Sequence, residues 1–112
     1  MKNVRVILRP FKVDEAREAL SEAGVTGITY SEVKGFGRQL AHTELNRGAE
    51  RTTDYVPKIA LEMTVPDALV NRVLEALEGT LRTGRAGDGK IFVSEVEDVV
   101  RIRTGERGFV AV

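Results

Sequence analysis

A glycine-rich segment at residues 83–90 has the composition of a phosphate-binding turn. It reads Thr-Gly-Arg-Ala-Gly-Asp-Gly-Lys, with three glycines within six residues and two cations, Arg85 and Lys90, beside them. Glycine lets backbone N–H groups approach an anion closely, and the cations supply the opposite charge. The segment is not a P-loop, which needs G-x-x-x-x-G-K-[ST] opening a helix, because Lys90 leads into a predicted strand. From the spacing of these residues alone, an anion site and a plain helix-to-strand turn are equally good interpretations.

Two further elements have the same chemical character. Gly35 and Gly37 are two apart, separated by Phe36, within Lys-Gly-Phe-Gly-Arg-Gln at 34–39, where backbone N–H groups can line an anion. Arg101 and Arg103 lie two apart in a predicted strand, so that both would project from one face and grip one polyanion together. Three independent elements of this kind in one small chain favour a polyanion site over solvated charges.

The segment 34–39 also matches the start of an RNA-recognition octapeptide, K/R-G-F/Y-G/A-F-V-x-F/Y. The match ends at Arg38, Gln39 and Ala41, which stand where the motif needs Phe, Val and an aromatic residue. Only 5% of the residues are aromatic, which leaves little with which to build a base-stacking surface. The 17 Lys and Arg residues cancel the 17 Asp and Glu residues, which argues against bulk attraction to phosphate. RNA binding is therefore a distant alternative, and no nucleic-acid partner is expected.

A long segment without periodicity, at about 37–55, separates two predicted strands. Loops beyond roughly 12–15 residues are uncommon in compact domains and are usually functional or disordered. This one carries Leu40 and Leu45 among charged residues such as Arg47 and Arg51, a mixture suited to ordering against a partner protein. We expect a partner-binding loop here, with an unconstrained hairpin tip as the alternative.

Catalytic and metal-ligating groups are scarce. The chain has no cysteine, which excludes thiol catalysis and cysteine-ligated zinc, and the single His42 excludes a multi-histidine metal site within one chain. No serine has a base at a spacing that would make it a nucleophile. No apolar run reaches the ~18 residues of a membrane span, and the N-terminus lacks signal-peptide features, so a cytoplasmic location is expected. The sequence predicts a binding protein and not an enzyme.

The periodicity of the sequence predicts the elements that must hold these residues. Helical spacing runs from Val13 to a stop at Gly24, and from Pro66 to near Gly79. Alternation and β-branched residues predict strands at 3–9, 26–36, 57–65 and 91–96, with a short fifth strand or an extension of the fourth at 99–103.

This order of elements predicts the fold class. The arrangement β-α-β-loop-β-α-β is the α+β, ferredoxin-like plan, βαββαβ, an antiparallel sheet with two helices on one face. We expect a single domain over residues 1–112, ending in a C-terminal loop at about 101–112. Apolar Ile7 and Ala60 fall on the sheet face away from the helices, which favours cover by another subunit.

Taken together, these segments resemble the P-II nitrogen regulatory proteins over nearly the whole chain. The resemblance rests on ordered segments at matching distances: Arg9-Pro10-Phe11-Lys12, Glu32 to Gln39, His42-Thr43-Glu44 with Arg47-Gly48, Pro57-Lys58, Thr83-Gly84 with Gly87 to Val93, and Arg101 to Glu106. It implies a homotrimer of ferredoxin-like subunits with ATP or ADP in the clefts between them, and 2-oxoglutarate beside MgATP. It also implies protein targets reached through the long loop, such as an ammonium transporter or an enzyme or regulator of nitrogen metabolism. Membrane contact would then be only indirect, through a transporter.

The resemblance also assigns residues to these ligands. One subunit would line the nucleotide cleft with Gly35, Gly37, Arg38 and Gln39, and the phosphates with Gly87, Asp88, Gly89 and Lys90. Its neighbour would supply Gly27, Ile28, Thr29, Glu62 and Thr64 near the adenosine, and Arg101 and Arg103 at the phosphates. Gln39 would reach Mg²⁺ bound by the ATP phosphates. Lys58 would pair with a 2-oxoglutarate carboxylate, with Gln39 and Gly87 beside it.

One departure from the family pattern concerns covalent control. Many members are uridylylated or adenylylated on a loop tyrosine and others phosphorylated on a loop serine, but Arg51 and Ala49 stand at those positions here. Neither has a hydroxyl, and Tyr55 at the loop base is the only tyrosine near it, so we expect no modification and control by ligands alone. The alternative hypothesis is another small ferredoxin-like trimer that binds a different metabolite or a metal.

Overall fold

A computed structural model gives the structure of residues 1–36 and 55–112. Within these ranges the chain forms four strands and two helices, which are β1 (Lys2–Leu8), α1 (Val13–Glu22), β2 (Thr29–Gly35), β3 (Val56–Val65), α2 (Val70–Leu81) and β4 (Lys90–Glu95). The predicted partner-binding loop lies outside the described residues, except for Tyr55 at its end. Neither α1 nor α2, the helices of the described ranges, has the length and apolar character that crossing a membrane requires.

The four strands form one antiparallel sheet in the order β2-β3-β1-β4. Val6 of β1 lies opposite Leu61 of β3 on one side and opposite Ile91 of β4 on the other, so that β1 and β3 are the central strands. β2 pairs along β3, from Thr29 opposite Glu62 to Gly35 opposite Val56. The element order and the antiparallel pairing confirm the predicted ferredoxin-like βαββαβ fold.

The alternation predicted for β3 is confirmed by its burial. One set of side chains, Ile59, Leu61, Met63 and Val65, is buried in the core with Val4, Val6 and Leu8 of β1. The other set faces away from the helices, because successive side chains of a strand point to opposite sides. We call this side of the sheet the open face; its residues include Asn3, Arg5, Ile7, Lys58, Ala60, Glu62, Thr64, Lys90 and Phe92.

Both helices pack their apolar stripes on the core side of the sheet. Ala16 and Leu20 of α1 and Val73 and Leu77 of α2 are fully buried. Gly24 ends α1 in the left-handed region, at φ +105°, as its position predicts. α2 continues past Gly79, where we expected its end, because Leu81 one half-turn later buries its side chain in the same core. Burial of a large side chain outweighs the roughly 1 kcal/mol that glycine costs inside a helix.

The prediction of a fifth strand at 99–103 is wrong. Only one isolated bridge forms there, between Val100 and Arg107, and the chain reverses between them. Gly105 makes the reversal possible, because it adopts φ +79° and donates its N–H to the Arg101 carbonyl at 2.7 Å. Arg101 and Arg103 therefore do not project together from the face of a strand.

Candidate functional site

The glycine-rich segment folds over one end of the open face and encloses a cavity of about 430 Å³. The cavity wall is formed by the end of β2, by the neighbouring parts of β1 and β3, and by the segment itself as it enters β4. Its lining includes the predicted ligand residues Gly35, Lys58, Gly87, Asp88, Gly89 and Lys90. The fold thus brings residues from three separate parts of the sequence into one concave site.

Asp88 organises the glycine-rich segment from inside. Its carboxylate accepts hydrogen bonds from the Thr83 hydroxyl at 2.5 Å, the Thr83 backbone N–H at 2.7 Å and the Gly84 N–H at 3.0 Å. These bonds, those from Thr83 first, hold the pKa of Asp88 well below its ordinary value, against the opposing effect of burial. The side chain is therefore ionised at neutral pH, and it fixes the turn on which the other site residues stand.

Arg9 anchors this turn to the central strand β1, a role that we did not assign to it from the sequence. Its guanidinium donates from Nη1 to Asp88 at 2.7 Å and from Nη2 to the carbonyl oxygen of Ala86 at 2.7 Å. The signals in the sequence were its position at the end of a predicted strand, before Pro10, and its place in the Arg9-Pro10-Phe11-Lys12 segment of the family resemblance. The partner lies 79 residues away, and nothing in the local pattern connects the two.

The glycines of the site are required by close backbone contacts. A Cβ atom on Gly89 would overlap the Ile7 carbonyl oxygen, far inside the sum of the van der Waals radii of the two atoms, and the residue adopts φ +107°. A Cβ atom on Gly87, which adopts φ +98°, would lie 3.0 Å from Nη2 of Arg9. A Cβ atom on Gly35 would lie 3.3 Å from Cγ of Lys58. Gly89 thus allows the turn to pack directly on β1, and Gly35 allows the aliphatic part of the Lys58 side chain to pack against β2.

Lys58 lies on the open face with Ala60, as the alternation along 57–65 requires, yet the residue is buried, at 7% exposure. Its ammonium donates a hydrogen bond to the carbonyl oxygen of Gly87 at 2.7 Å. Burial lowers the pKa of Lys58, the nearby Arg9 guanidinium lowers it further, and Asp88 acts in the opposite direction. A buried lysine at the wall of a cavity is a strong recognition group for a carboxylate.

Lys90 and Arg85 bring further positive charge to the same cavity. Lys90 is the first residue of β4 and lies opposite Ile7 on the open face. Among the residues that the structure describes, neither side chain forms an ion pair. The site therefore combines three cations that line one cavity with glycine backbone, which is the chemistry that phosphates and carboxylates require.

The residues on either side of segment 37–54 meet at the edge of this cavity. The rings of Phe36 and Tyr55 pack in a tilted arrangement with centroids 5.7 Å apart, just beyond the last pair of β2 and β3, Gly35 and Val56. Phe36 also lines the cavity. The predicted ligand residues Gly37, Arg38 and Gln39 follow directly but lie outside the described residues, as do Ala49 and Arg51.

A second group of predicted residues forms a separate, smaller cavity of about 270 Å³ on the open face. Gly27, Thr29, Glu62 and Thr64 line it together with Asn3, whose side-chain amide donates to Glu62 at 3.0 Å. Ile28 does not line it, because its side chain packs against the core. This group shares no lining residue with the larger cavity within one chain.

The two arginines near the C-terminus belong to neither cavity. Arg101 forms an ion pair with Glu106 at 2.7 Å across the chain reversal, and Arg103 lies within it. The surrounding segment, residues 97–112, which we call the C-terminal arm, exposes large apolar side chains, among them Ile102 at 96% and Phe109 at 71%. One chain therefore divides the predicted nucleotide residues among three places.

Comparison with known proteins gives one consistent match. The family described as nitrogen regulatory protein P-II matches residues 1–106. The nitrogen regulatory protein P-II of Azospirillum brasilense is 57% identical over 108 residues, 96% of each chain. The nitrogen regulatory protein P-II of Rhizobium meliloti is 54% identical over the full length of both chains. That of Haemophilus influenzae is 55% identical over 95% of each chain.

Proposed function

The chain belongs to the nitrogen regulatory protein P-II family, and from this premise we propose that it is a non-enzymatic signalling protein that senses ATP or ADP and 2-oxoglutarate. It reports these effectors by binding proteins of nitrogen metabolism. The observation that carries the proposal is the cavity in which Lys58, Lys90 and the glycine-rich turn meet. Family membership supports nitrogen signalling; the chemistry of this cavity supports the choice of ligands.

The nucleotide phosphates are proposed to bind at the glycine-rich turn. Gly87 and Gly89 line the cavity and let the turn pack closely on Arg9 and β1, and Lys90 and Arg85 supply charge. Asp88 and Arg9 hold the turn in place before any ligand arrives. A turn already organised by its own hydrogen bonds loses little conformational entropy when it binds an anion.

2-Oxoglutarate is proposed to bind at Lys58. The ammonium has three N–H donors, and one of them is used by Gly87. The others are available within the cavity to a carboxylate, which would satisfy a buried cation that now has only a neutral acceptor. The short distance from Lys58 to the phosphate turn supports binding of 2-oxoglutarate next to the nucleotide.

Mg²⁺ is proposed to bind only with the nucleotide, held by phosphate oxygens and Gln39. Residues 1–36 and 55–112 contain no group of His, Cys, Asp or Glu side chains that could hold a metal ion by themselves. The acidic residue of the cavity, Asp88, already accepts four hydrogen bonds from Thr83, Gly84 and Arg9. A hard cation here therefore needs oxygen ligands that arrive with the nucleotide.

A homotrimer is proposed because one chain divides its site among three places. The group around Glu62 and the arginines of the C-terminal arm would complete the cavity of a neighbouring subunit. The exposed apolar side chains of the arm, such as Ile102 and Phe109, support an assembly, since isolated soluble chains rarely expose such groups together. The half-buried Ile7 of the open face would be covered in the same assembly, whereas Ala60, which we also expected to need cover, is already buried within one chain.

The targets are proposed to be an ammonium transporter or an enzyme or regulator of nitrogen metabolism, bound through the loop at 37–55. The protein would act from the cytoplasm and meet the membrane only through a transporter. The balanced net charge supports protein targets over nucleic acid. Arg51 and Ala49 support control by ligands without covalent modification, because neither side chain has a hydroxyl.

Calorimetric titration with ATP, ADP and 2-oxoglutarate, each with and without Mg²⁺, tests the sensing proposal directly. We expect both nucleotides to bind and 2-oxoglutarate to bind only when MgATP is present. Sedimentation equilibrium tests the assembly, with an expected mass of about three times 12.3 kDa. A stable monomer that binds ATP tightly would contradict the shared site, and absence of nucleotide binding would contradict the function.

A further inference from the structure

Lys58 is a buried cation with few groups that replace its lost hydration. It is the only buried polar or charged side chain in the described part of the chain. Its hydrogen bond to the Gly87 carbonyl is the one that it makes there, and no carboxylate of residues 1–36 or 55–112 forms an ion pair with it. A buried ammonium with a single neutral acceptor loses much of its hydration without replacement.

The charges around Lys58 add to this cost. Arg9 acts on Lys58 from the end of β1, and Arg85 of the glycine-rich turn and Lys90 at the start of β4 line the same cavity. Asp88 is the acidic group on this side, and its oxygens are occupied by Arg9 and the turn. From β2 the residue opposite Lys58 is the apolar Val33. Burial first, and then Arg9, lower the pKa of Lys58 against a smaller opposing effect of Asp88, so that more of its amine is neutral at a given pH than in an exposed lysine.

We propose that Lys58 is a carbon dioxide acceptor whose amine forms a carbamate in this cavity. The lone pair of the neutral Nζ attacks the carbon of CO₂ and forms an N–C bond, while the electrons of one C–O π bond move to oxygen. The nitrogen then releases one proton to water, which leaves a carbamate anion. No oxidant or reductant is needed, and loss of CO₂ reverses the step.

The cavity has the two properties that this reaction requires. Its wall presents a buried lysine amine, whose lowered pKa makes the neutral, nucleophilic form more accessible than in an exposed lysine. It also holds the cations Arg85 and Lys90 on its lining, which would stabilise the product anion. CO₂ is small and uncharged, so that it reaches a mostly buried nitrogen without paying the desolvation cost of a carboxylate.

Carbamate formation would convert the Lys58 cation into an anion. If the carboxylate of 2-oxoglutarate binds at Lys58, the two events exclude each other, and CO₂ antagonises the effector. This competition rests on the proposed function, whereas the carbamate itself does not. At a CO₂ pressure that modifies half of the Lys58 side chains, the apparent Kd for 2-oxoglutarate should rise about twofold.

The test uses the full-length protein equilibrated with ¹³C-labelled CO₂ and bicarbonate. Carbamate is detected by ¹³C NMR, and its position is mapped by alkylation with triethyloxonium followed by tandem mass spectrometry. We expect modification of Lys58 in the wild type, at a lower pH than modification of the exposed Lys34. Lys58→Arg keeps the positive charge but cannot form the carbamate, so its signal should be lost, while the control Lys34→Arg should keep it.

The outcomes separate the two proposals. A wild-type protein without a carbamate on Lys58, or with one formed no more readily than on Lys34, overturns the inference even if the variants do not fold. A carbamate on Lys58 that leaves 2-oxoglutarate binding unchanged upholds CO₂ capture and overturns the competition. Failure of 2-oxoglutarate to bind in CO₂-free buffer overturns the effector assignment and leaves the mapped carbamate standing.

Discussion

The ammonium of Lys58 lies 2.7 Å from the carbonyl oxygen of Gly87 and donates a hydrogen bond to it. The bond joins strand β3 to the glycine-rich turn, two segments that are 29 residues apart in the sequence. A ligand that engages Lys58 therefore acts next to the backbone that is proposed to hold the nucleotide phosphates. We therefore expect the affinities for the two proposed ligands to be coupled through this contact.

Replacing Lys58 by alanine should weaken 2-oxoglutarate binding strongly and leave ATP binding largely intact. The lost charge-assisted bond is worth about 1.5–3 kcal/mol, which corresponds to roughly ten- to a hundredfold in affinity. Titration of 2-oxoglutarate in the presence of MgATP measures the change, with Lys34→Ala as the control lysine. Binding of 2-oxoglutarate to the nucleotide-free protein, or an unchanged Kd in Lys58→Ala, would contradict the assignment.

Replacing Lys90 by alanine should weaken ATP and ADP alike. A lysine that contacts phosphates shared by both nucleotides contributes about 1.5–3 kcal/mol to each, and therefore roughly ten- to a hundredfold in each Kd. Calorimetric titration of the variant against both nucleotides measures the two losses. Lys12→Ala is a suitable control, because Lys12 instead donates to the Thr80 carbonyl near the helices. Equal affinities in wild type and Lys90→Ala would remove the turn from the nucleotide site.

Replacing Gly89 by alanine should destabilise the fold far more than the same change at Gly84. Both glycines have positive φ, +107° and +84°, so both variants incur the strain of roughly 1–2 kcal/mol that a Cβ atom causes there. Only at Gly89 does the added atom also overlap the Ile7 carbonyl oxygen, whereas nothing lies within 4 Å at Gly84. Urea denaturation of both variants at one protein concentration gives their free energies of unfolding. The difference between the two losses measures the cost of the overlap with Ile7. Equal losses of stability would show that the turn moves freely away from β1.

The regular elements could be predicted from the sequence because their periods are set by one buried face. In β3 the core side chains alternate with outward ones because one side of the strand faces the helices; they are Ile59, Leu61, Met63 and Val65. Leu77 falls on a helical stripe because one side of α2 packs on the sheet. The same reasoning failed at 99–103. Val100 and Ile102 alternate with arginines as in a strand, yet both are exposed, and the φ of +79° at Gly105 turns the chain back.

The residues that line the larger cavity were singled out by residue type, but the contacts among them were not predicted. Glycines and cations at 83–90 indicated an anion site, and the alternation in β3 placed Lys58 on the correct face. Its burial was not predictable, because it depends on how the turn folds over the sheet. The bond from Arg9 to Asp88 spans 79 residues, and no local period carries information over that distance.

Replacing Asp88 by asparagine should destabilise the protein at neutral pH and much less in acid. Because its folded-state pKa lies below the ordinary value of 3.8, the carboxylate contributes stability above that pH and loses it as the pH falls through the folded-state pKa. Urea denaturation of wild type and Asp88→Asn, from neutral pH to below 3.8, measures the difference. It should shrink in acid, while the exposed Glu18→Gln shows little difference throughout. A constant difference would mean that the lost hydrogen bonds do not depend on the charge.

The contact between Phe36 and Tyr55 provides an optical signal for this protein. The chain has no tryptophan and two tyrosines, so its intrinsic emission comes from Tyr30 and Tyr55. Tyr55 packs against Phe36, which lines the larger cavity, whereas Tyr30 stands on β2 at the edge of the sheet. In a Tyr30→Phe variant, Tyr55 would be the single fluorophore, placed one ring away from the proposed ligands. Changes in its quantum yield would then follow site occupancy in real time, without a label and without adding a residue to the cavity.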